Sequence, residues 1–198
     1  FRDVFTENPI LIVKRAVMAE TKENSLSKTF VGFVLERASA APKIKDTGFV
    51  ARMKRADNPD LEYQVWNILL KFNVDIEFAA RRLPFCLIGA ALCRRQPEKD
   101  GIFGLGASLR SCFGDDEDQG SIRLRRLLAC QTTEEVCRIL RPMLSLITVK
   151  ATKPLCFATL LDGGYKIESN GQERIKMRWT RDFYSLSNEP KAAEGEAS

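Results

Sequence analysis

The sequence of 198 residues contains no histidine. This absence excludes Ser-His-Asp and Cys-His nucleophile systems, histidine general bases and every zinc site that uses an imidazole ligand. General acid–base catalysis would then need paired carboxylates on a rigid element. The one dense acidic run, residues 115–118, lacks calcium-loop spacing and is predicted to be a solvated surface loop. We therefore expect a protein that is not an enzyme and that holds no metal and no cofactor.

No Cys-x-x-Cys motif occurs among the six cysteines. Cys86 and Cys93 are seven residues apart, as are Cys130 and Cys137. Within a helix this spacing separates each pair by two turns, beyond the Cα distance of about 4.4–6.8 Å that a disulfide needs. We expect reduced, buried thiols that pack as small apolar residues, and hence a reducing, cytoplasmic location.

No apolar run approaches the ~20 residues of a membrane-spanning helix, so no membrane partner is expected. Met18 and the polar residues after it are typical of a natural start, which predicts that 1–24 form a peripheral leader outside the fold. Residues 186–198 are rich in Asn, Pro, Ala, Glu, Gly and Ser, a composition that predicts a disordered tail.

Apolar residues recur with helical spacing over most of the chain, and no strand-hairpin signal or fixed repeat is present. The sequence predicts an all-α bundle of about eight or nine helices, with an N-terminal lobe at 25–113 and a C-terminal lobe at 121–185. The stripe from Leu61 to Phe72 predicts the clearest amphipathic helix, with Asn58 as its cap.

Local signals also mark where other helices begin and end. Thr132 and Glu135 form a capping box at the start of a long helix. Pro84 is predicted to break or restart the helix around it, because proline removes a backbone hydrogen bond. A short helix is expected at 155–161, ended by the glycines at 163 and 164.

Basic residues lie on helix faces opposite the apolar stripes, in four groups. A net charge of +5 permits a nucleic-acid partner without requiring one. An ordinary solvated face explains any single group, but four groups in a chain this short favour a surface that follows phosphates. The groups are Arg52/Lys54/Arg55, Arg94/Arg95/Lys99, Arg123/Arg125/Arg126 with Arg138 and Arg141, and Arg174/Lys176/Arg178/Arg181.

No base-reading signature accompanies these residues, so contacts to the nucleic-acid backbone are expected. Trp66 and Trp179 lie within apolar stripes and are predicted to be core residues rather than stacking platforms. The candidate nucleic-acid-binding residues are Arg52, Lys54, Arg55, Arg123, Arg125, Arg126, Arg138, Arg141, Arg174, Arg178 and Arg181.

Three segments of the sequence are RLRRLLAC at 123–130, EVCRILRPML at 135–144 and MRWTRDFY at 177–184. Together they resemble the CasB family, the small subunit of the type I-E CRISPR Cascade surveillance complex. Segments at 51–59, 82–85 and 104–106 are similar to the same family in the same order, so that the resemblance covers about 28–185. Between 148 and 172 the sequence departs from the family, because Lys153-Pro154 and Gly163-Gly164 interrupt an expected leucine-rich helix.

The resemblance implies an all-helical, non-catalytic subunit that is present as two copies beside the backbone and large subunits of Cascade. It implies contacts with the guide RNA, the target DNA and the displaced DNA strand during antiviral defence. Base pairing supplies sequence specificity in guided systems, so that the protein needs only shape and charge. The alternative is a helical adaptor whose basic faces dock acidic proteins without binding nucleic acid. An enzyme with cysteine or carboxylate chemistry is a remote third hypothesis.

Overall fold

The computed structural model describes residues 26–38, 46–114, 116–164 and 171–185. Within these ranges the chain forms nine α-helices and one 3₁₀ helix. The described residues include no strand, and their one β contact is an isolated bridge between Phe103 and Leu155. The all-α prediction is confirmed. The predicted leader at 1–24 and the predicted tail at 186–198 lie outside the described residues.

The helices follow one another in this order: α1 (26–38), α2 (Thr47–Met53), the 3₁₀ helix (Glu62–Val65), α3 (Trp66–Lys71), α4 (Ala79–Arg95), α5 (Leu105–Arg110), α6 (Glu117–Leu128), α7 (Thr133–Lys150), α8 (Phe157–Gly164) and α9 (Gln172–Tyr184). Helix α4 packs against α2, α7 and α8, while α5 packs against α9 and α6. Buried apolar residues of all nine helices form one continuous core, shared by both predicted lobes. None of the described helices is long and apolar enough to cross a membrane, and the cytoplasmic location stays a prediction.

Helix α4 runs without interruption through Pro84, so the predicted break there is wrong. The proline removes one hydrogen bond and costs about 3 kcal/mol in a helix interior. Residues 84–93 are buried without exception. Burying one large apolar side chain stabilises by roughly 1.5–3 kcal/mol, so the burial of Phe85, Leu87, Ile88 and Leu92 outweighs the cost of Pro84.

The helix predicted for 61–72 is not continuous. The Asn58 side chain accepts a hydrogen bond from the Asp60 backbone N–H at 3.1 Å, which forms a turn instead of a helix cap. The chain then continues as the 3₁₀ helix and the six-residue α3. The apolar stripe still faces inward, because Val65, Ile68 and Leu69 are buried. Trp66 is half-buried against the core.

Two further local predictions are corrected by helix caps. Of the acidic run at 115–118, the described residues 116–118 begin α6 rather than forming a loop, and residue 115 lies outside the described residues. The Asp116 side chain accepts from the Gln119 N–H, and carboxylates in the first turn are favoured by the helix dipole. Helix α8 spans Phe157–Gly164, later than expected, because the Asp100 carboxylate accepts from the N–H groups of Phe157 and Ala158 at 2.7 and 3.1 Å.

Helices α5 and α9 cross in backbone contact at Gly106. A Cβ added there would overlap the Trp179 carbonyl and lie 2.6 Å from the Phe183 nitrogen, so only glycine fits. The close crossing seals Trp179, 2% exposed, beneath α5, which confirms the prediction of a core residue.

All six cysteines are free thiols, as predicted. The predicted burial is found for Cys86, Cys93 and Cys130, whereas the other three cysteines are half-buried. Burial raises the pKa of Cys86 and of Cys93 from 9.0 to about 12. Each thiol has a higher pKa in the folded chain than in the unfolded chain. Its contribution to the free energy of unfolding is therefore complete below pH 9 and decreases as the pH rises towards 12.

We expect the free energy of unfolding to be unchanged by reductant at pH 8. Between pH 9 and pH 11 the free energy of unfolding of wild type should fall, in part because the Cys93 thiol ionises in the unfolded chain but stays protonated in the folded one. Cys93→Ala should make this fall less steep by about 1.4 kcal/mol per pH unit. Urea titrations followed by circular dichroism, with and without reductant, measure both effects. A melting temperature that falls on adding reductant would contradict the assignment of free thiols.

Candidate nucleic-acid interface

None of the eleven candidate basic residues is buried. Eight are exposed, and Lys54, Arg123 and Arg178 are half-buried, so every candidate keeps part of its side chain in water. This distribution follows from the amphipathic pattern, which places the apolar side chains of α6, α7 and α9 in the core. Access to water at all eleven is necessary for contact with phosphates, but ordinary solvated surface residues have it too.

The first group lies on α2 and the turn after it. Arg55 is anchored by its own segment: its Nε donates to the Ala51 carbonyl at 3.2 Å and its Nη2 to Gln64 Oε1 at 3.4 Å. Arg52 is exposed and makes no ion pair or hydrogen bond with a described residue. The Lys54 carbonyl accepts a hydrogen bond from Arg94 Nη2 at 2.7 Å, which connects this group to the C-terminal end of α4.

A buried carboxylate lies between the first and third basic groups and pairs with two arginines. Asp57, 5% exposed, accepts two hydrogen bonds from Arg94, one of them from Nη1 at 2.8 Å, and pairs with Arg141 Nε at 3.2 Å. We refer to Asp57, Arg94 and Arg141 as the Asp57 cluster. The cluster joins the turn after α2 to α4 and α7, and it brings Arg141 close to the backbone of Lys54.

The arginines of α6 differ in how they are held. Arg123 Nη1 donates to the Gln119 carbonyl at 3.0 Å, and its guanidinium lies 5.0 Å from the centre of the Phe113 ring. Arg125 Nη2 donates to Ser121 Oγ at 3.1 Å. Arg126 is exposed and has no such partner among the described residues. Arg123 and Arg125 are therefore partly pre-organised.

Basic residues of α7 and α9 also come close to each other at the turn between α6 and α7. Lys176 of α9 donates from Nζ to the Cys130 carbonyl at 2.6 Å. The predicted capping box is confirmed, with Glu135 accepting from the Gln131 and Thr132 N–H groups. These two hydrogen bonds lower the pKa of Glu135, and the nearby charges of Arg138 and Lys176 lower it further. The structure thus brings Arg138 close to Lys176, through a carboxylate that stays ionised.

The arginines of α9 lie on the side of the helix opposite its buried residues Ile175 and Trp179. Arg174 and Arg181 are exposed, and Arg178 lies beside Gly163 of α8. Neither Arg178 nor Arg181 makes an ion pair or hydrogen bond to another candidate within the described part of the chain. The candidates are therefore spread over several faces. The Asp57 cluster and the α6–α7 turn each bring one candidate, Arg141 or Arg138, close to a basic residue outside the candidate list.

Sequence reasoning noted Arg94 and Arg95 as a basic group but left both out of the candidate residues. The structure places Arg94 at the centre of the Asp57 cluster. Asp57 itself was missed, because one aspartate between Ala56 and Asn58 carries no pattern. Arg141 was expected to be available to phosphates, yet one of its nitrogens is committed to Asp57.

The chain is similar to known proteins in sequence and in fold. The family model described as CRISPR-associated protein Cse2 matches residues 50–184. No curated protein sequence matches the chain. The crystal structure of CasB from Thermobifida fusca is similar in fold, with a TM-score of 0.55 and 17% sequence identity over 84% of this chain and 97% of that chain.

Proposed function

The chain belongs to the CRISPR-associated protein Cse2 family, and we propose that it is the small subunit of a Cascade surveillance complex. The earlier resemblance to CasB is confirmed by the family match and by the similar fold. The proposal rests on the position of the basic residues in the sequence: the range matched by the family, 50–184, includes all eleven candidates.

In this proposal the protein binds nucleic acid through its phosphates and has no catalytic activity. Backbone contacts suit a guided complex, in which base pairing between guide RNA and target DNA supplies the sequence specificity. The basic faces support the guide–target duplex and retain the displaced strand, alongside the backbone and large subunits. Two arginines held by local hydrogen bonds, the half-buried Arg123 and the exposed Arg125, support this proposal because less side-chain entropy is lost on contact.

The test neutralises candidates that have no structural ion pair. We expect Arg123→Gln, Arg126→Gln and Arg138→Gln together to weaken binding to duplex and single-stranded DNA. Each phosphate contact removed should reduce the log–log salt slope by roughly 0.7–0.9, which for three contacts is a reduction of about 2.1–2.7. Fluorescence anisotropy of labelled oligonucleotides between 50 and 200 mM salt, concentrations at which phosphate contacts lose affinity steeply, measures the slope. Arg141 is left intact, because it stabilises Asp57.

A matched control distinguishes the effect of losing charge at the candidate residues from the effect of a lower net charge. Lys28→Gln, Lys71→Gln and Lys150→Gln also remove three positive charges, from exposed residues outside all four basic groups. This control should retain nearly the wild-type salt slope. If the arginine variant binds DNA with unchanged affinity and slope, the adaptor hypothesis replaces the nucleic-acid hypothesis. Equal losses in the two variants would show a non-specific effect of net charge.

A further inference from the structure

A groove of about 250 Å³ lies between α4 and α7, next to the Asp57 cluster, and we call it the α4–α7 groove. Its apolar lining comes from the buried Leu87, Ala91 and Leu144 and from the exposed Val149. None of the described residues that line it is aromatic. An aliphatic group can pack against such a lining, whereas an aromatic ring or a nucleic-acid base would find no aromatic face to stack on.

Two hydroxyl groups also line the groove, and both donate to the backbone of their own helix. Ser145 Oγ donates to the Arg141 carbonyl at 3.3 Å, and Thr148 Oγ1 donates to the Ser145 carbonyl at 3.2 Å. Because neither hydroxyl proton is free, the side-chain donors left for a ligand are the arginines of the groove. A ligand with polar groups along its whole length, such as a sugar or a base, would leave acceptors without a donor.

Guanidinium groups at the exposed rim supply these donors. Arg94 directs both Nη1 and Nη2 to Asp57. Arg141 uses Nε for the same carboxylate, and its two Nη groups make no hydrogen bond with a described residue. Arg95 is exposed and makes no ion pair or hydrogen bond within the described part of the chain. Three positive charges and the one negative charge of Asp57 leave +2, so an anionic group between Arg95 and Arg141 would complement the rim.

We propose that the α4–α7 groove binds a medium-chain aliphatic carboxylate, with the chain on the apolar lining and the carboxylate against Arg95 and Arg141. A protein cavity of ~150 Å³ accommodates benzene, which has about six non-hydrogen atoms. In the same proportion, a groove of about 250 Å³ accommodates about ten non-hydrogen atoms, the number in octanoate. A membrane lipid with two long chains is much larger than this volume. The inference does not rest on the proposed role in Cascade.

A titration of the full chain with sodium octanoate, followed by NMR of labelled leucine and valine methyl groups, tests the proposal. The methyl signals of Leu87, Leu144 and Val149 should shift and reach saturation. Those of Leu70, which is exposed on α3 outside the groove, should stay in place. Equal shifts at Leu70 would show non-specific partitioning and overturn the proposal, as would the absence of any shift in the groove.

Other ligands distinguish the contribution of the chain from that of the charge. Octan-1-ol keeps the chain without the charge, and acetate keeps the charge without the chain, so each should bind about tenfold more weakly than octanoate, or weaker still. Octan-1-ol that binds as tightly as octanoate overturns the assignment of a carboxylate.

Vesicles of phosphatidylglycerol test a membrane surface as the source of the aliphatic anion. We expect the protein not to float with them, because the groove is too small for two long chains. Flotation of wild type that Arg95→Gln abolishes would assign the groove to a membrane surface and overturn the proposal.

Variants at the rim and in the lining test both ends of the ligand. Arg95→Gln should raise the octanoate dissociation constant about tenfold, because it removes a hydrogen bond between charged groups. Lys71→Gln removes the same charge from an exposed residue outside the groove and should leave this constant nearly unchanged. Val149→Ser should also weaken binding, whereas Met177→Ser, at an exposed residue of α9, should not.

Equal effects of a groove variant and its control, with both variants folded by circular dichroism, overturn the proposal. The same methyl spectra recorded with a single-stranded DNA oligonucleotide test the other class of anion. If the oligonucleotide shifts the groove methyl signals and octanoate does not, the groove belongs to the nucleic-acid surface and the proposal is wrong.

Discussion

Trp179→Ala is expected to lower the free energy of unfolding by about 3–5 kcal/mol, the range for removing a large aromatic side chain from a core. Trp179 is among the largest fully buried side chains and lies beneath the α5–α9 crossing. The cavity cannot close by moving the helices together, because they are already in backbone contact at Gly106. Urea unfolding followed by circular dichroism measures the loss.

Met177→Ala provides the comparison on the same helix. Met177 is exposed, so this change should stay within about 0.5 kcal/mol of wild type. Helix propensity differs little between methionine and alanine. A loss of under about 1 kcal/mol for Trp179→Ala, together with weaker DNA binding, would contradict the core assignment and would indicate base stacking.

The double substitution Arg94→Met and Arg141→Met is expected to cost about 3–5 kcal/mol. It leaves Asp57 buried with neither of its arginine partners, and an uncompensated buried charge costs more than the pair contributes when intact. Both arginines are partly exposed, so the loss arises from the carboxylate rather than from their own burial. The same urea titration measures the effect.

Two further variants identify the cause of this loss. Arg95→Met removes a neighbouring charge that does not contact Asp57 and should change stability by no more than about 0.5 kcal/mol. Adding Asp57→Leu to the double variant should recover part of the loss, because apolar replacement of a whole buried ionic group is often neutral. If the free energy of unfolding does not recover at all, the loss arises from side-chain packing and not from the buried charge.

Features encoded in a few neighbouring residues were predictable from the sequence. The capping box at Thr132 is confirmed because both halves of the motif lie within four residues. The exposure of the candidate arginines also follows from local helical spacing. The uninterrupted α4 was not predictable, because the penalty at Pro84 is offset by packing against distant helices.

The Asp57 cluster shows the same limit at the candidate site. Its three members lie 37 and 47 residues apart in sequence, at positions 57, 94 and 141. Only the packing of α4 against α7 brings the two arginines to one carboxylate. The loop prediction for residues 116–118 was wrong for a different reason: the same acidic residues occur in loops and at helix caps, and geometry decides between the two.

The crossing of α5 and α9 also sets the order in which the chain can complete its core during synthesis. Helix α5 ends at residue 110 and α9 at residue 184, so 74 residues follow α5 before its partner is complete. At the ~5–20 residues per second of translation, this gap lasts roughly 4–15 s. Throughout that interval the core lacks Ile175, Trp179 and Phe183, the residues that α9 buries in it, so the nascent chain has an incomplete apolar core.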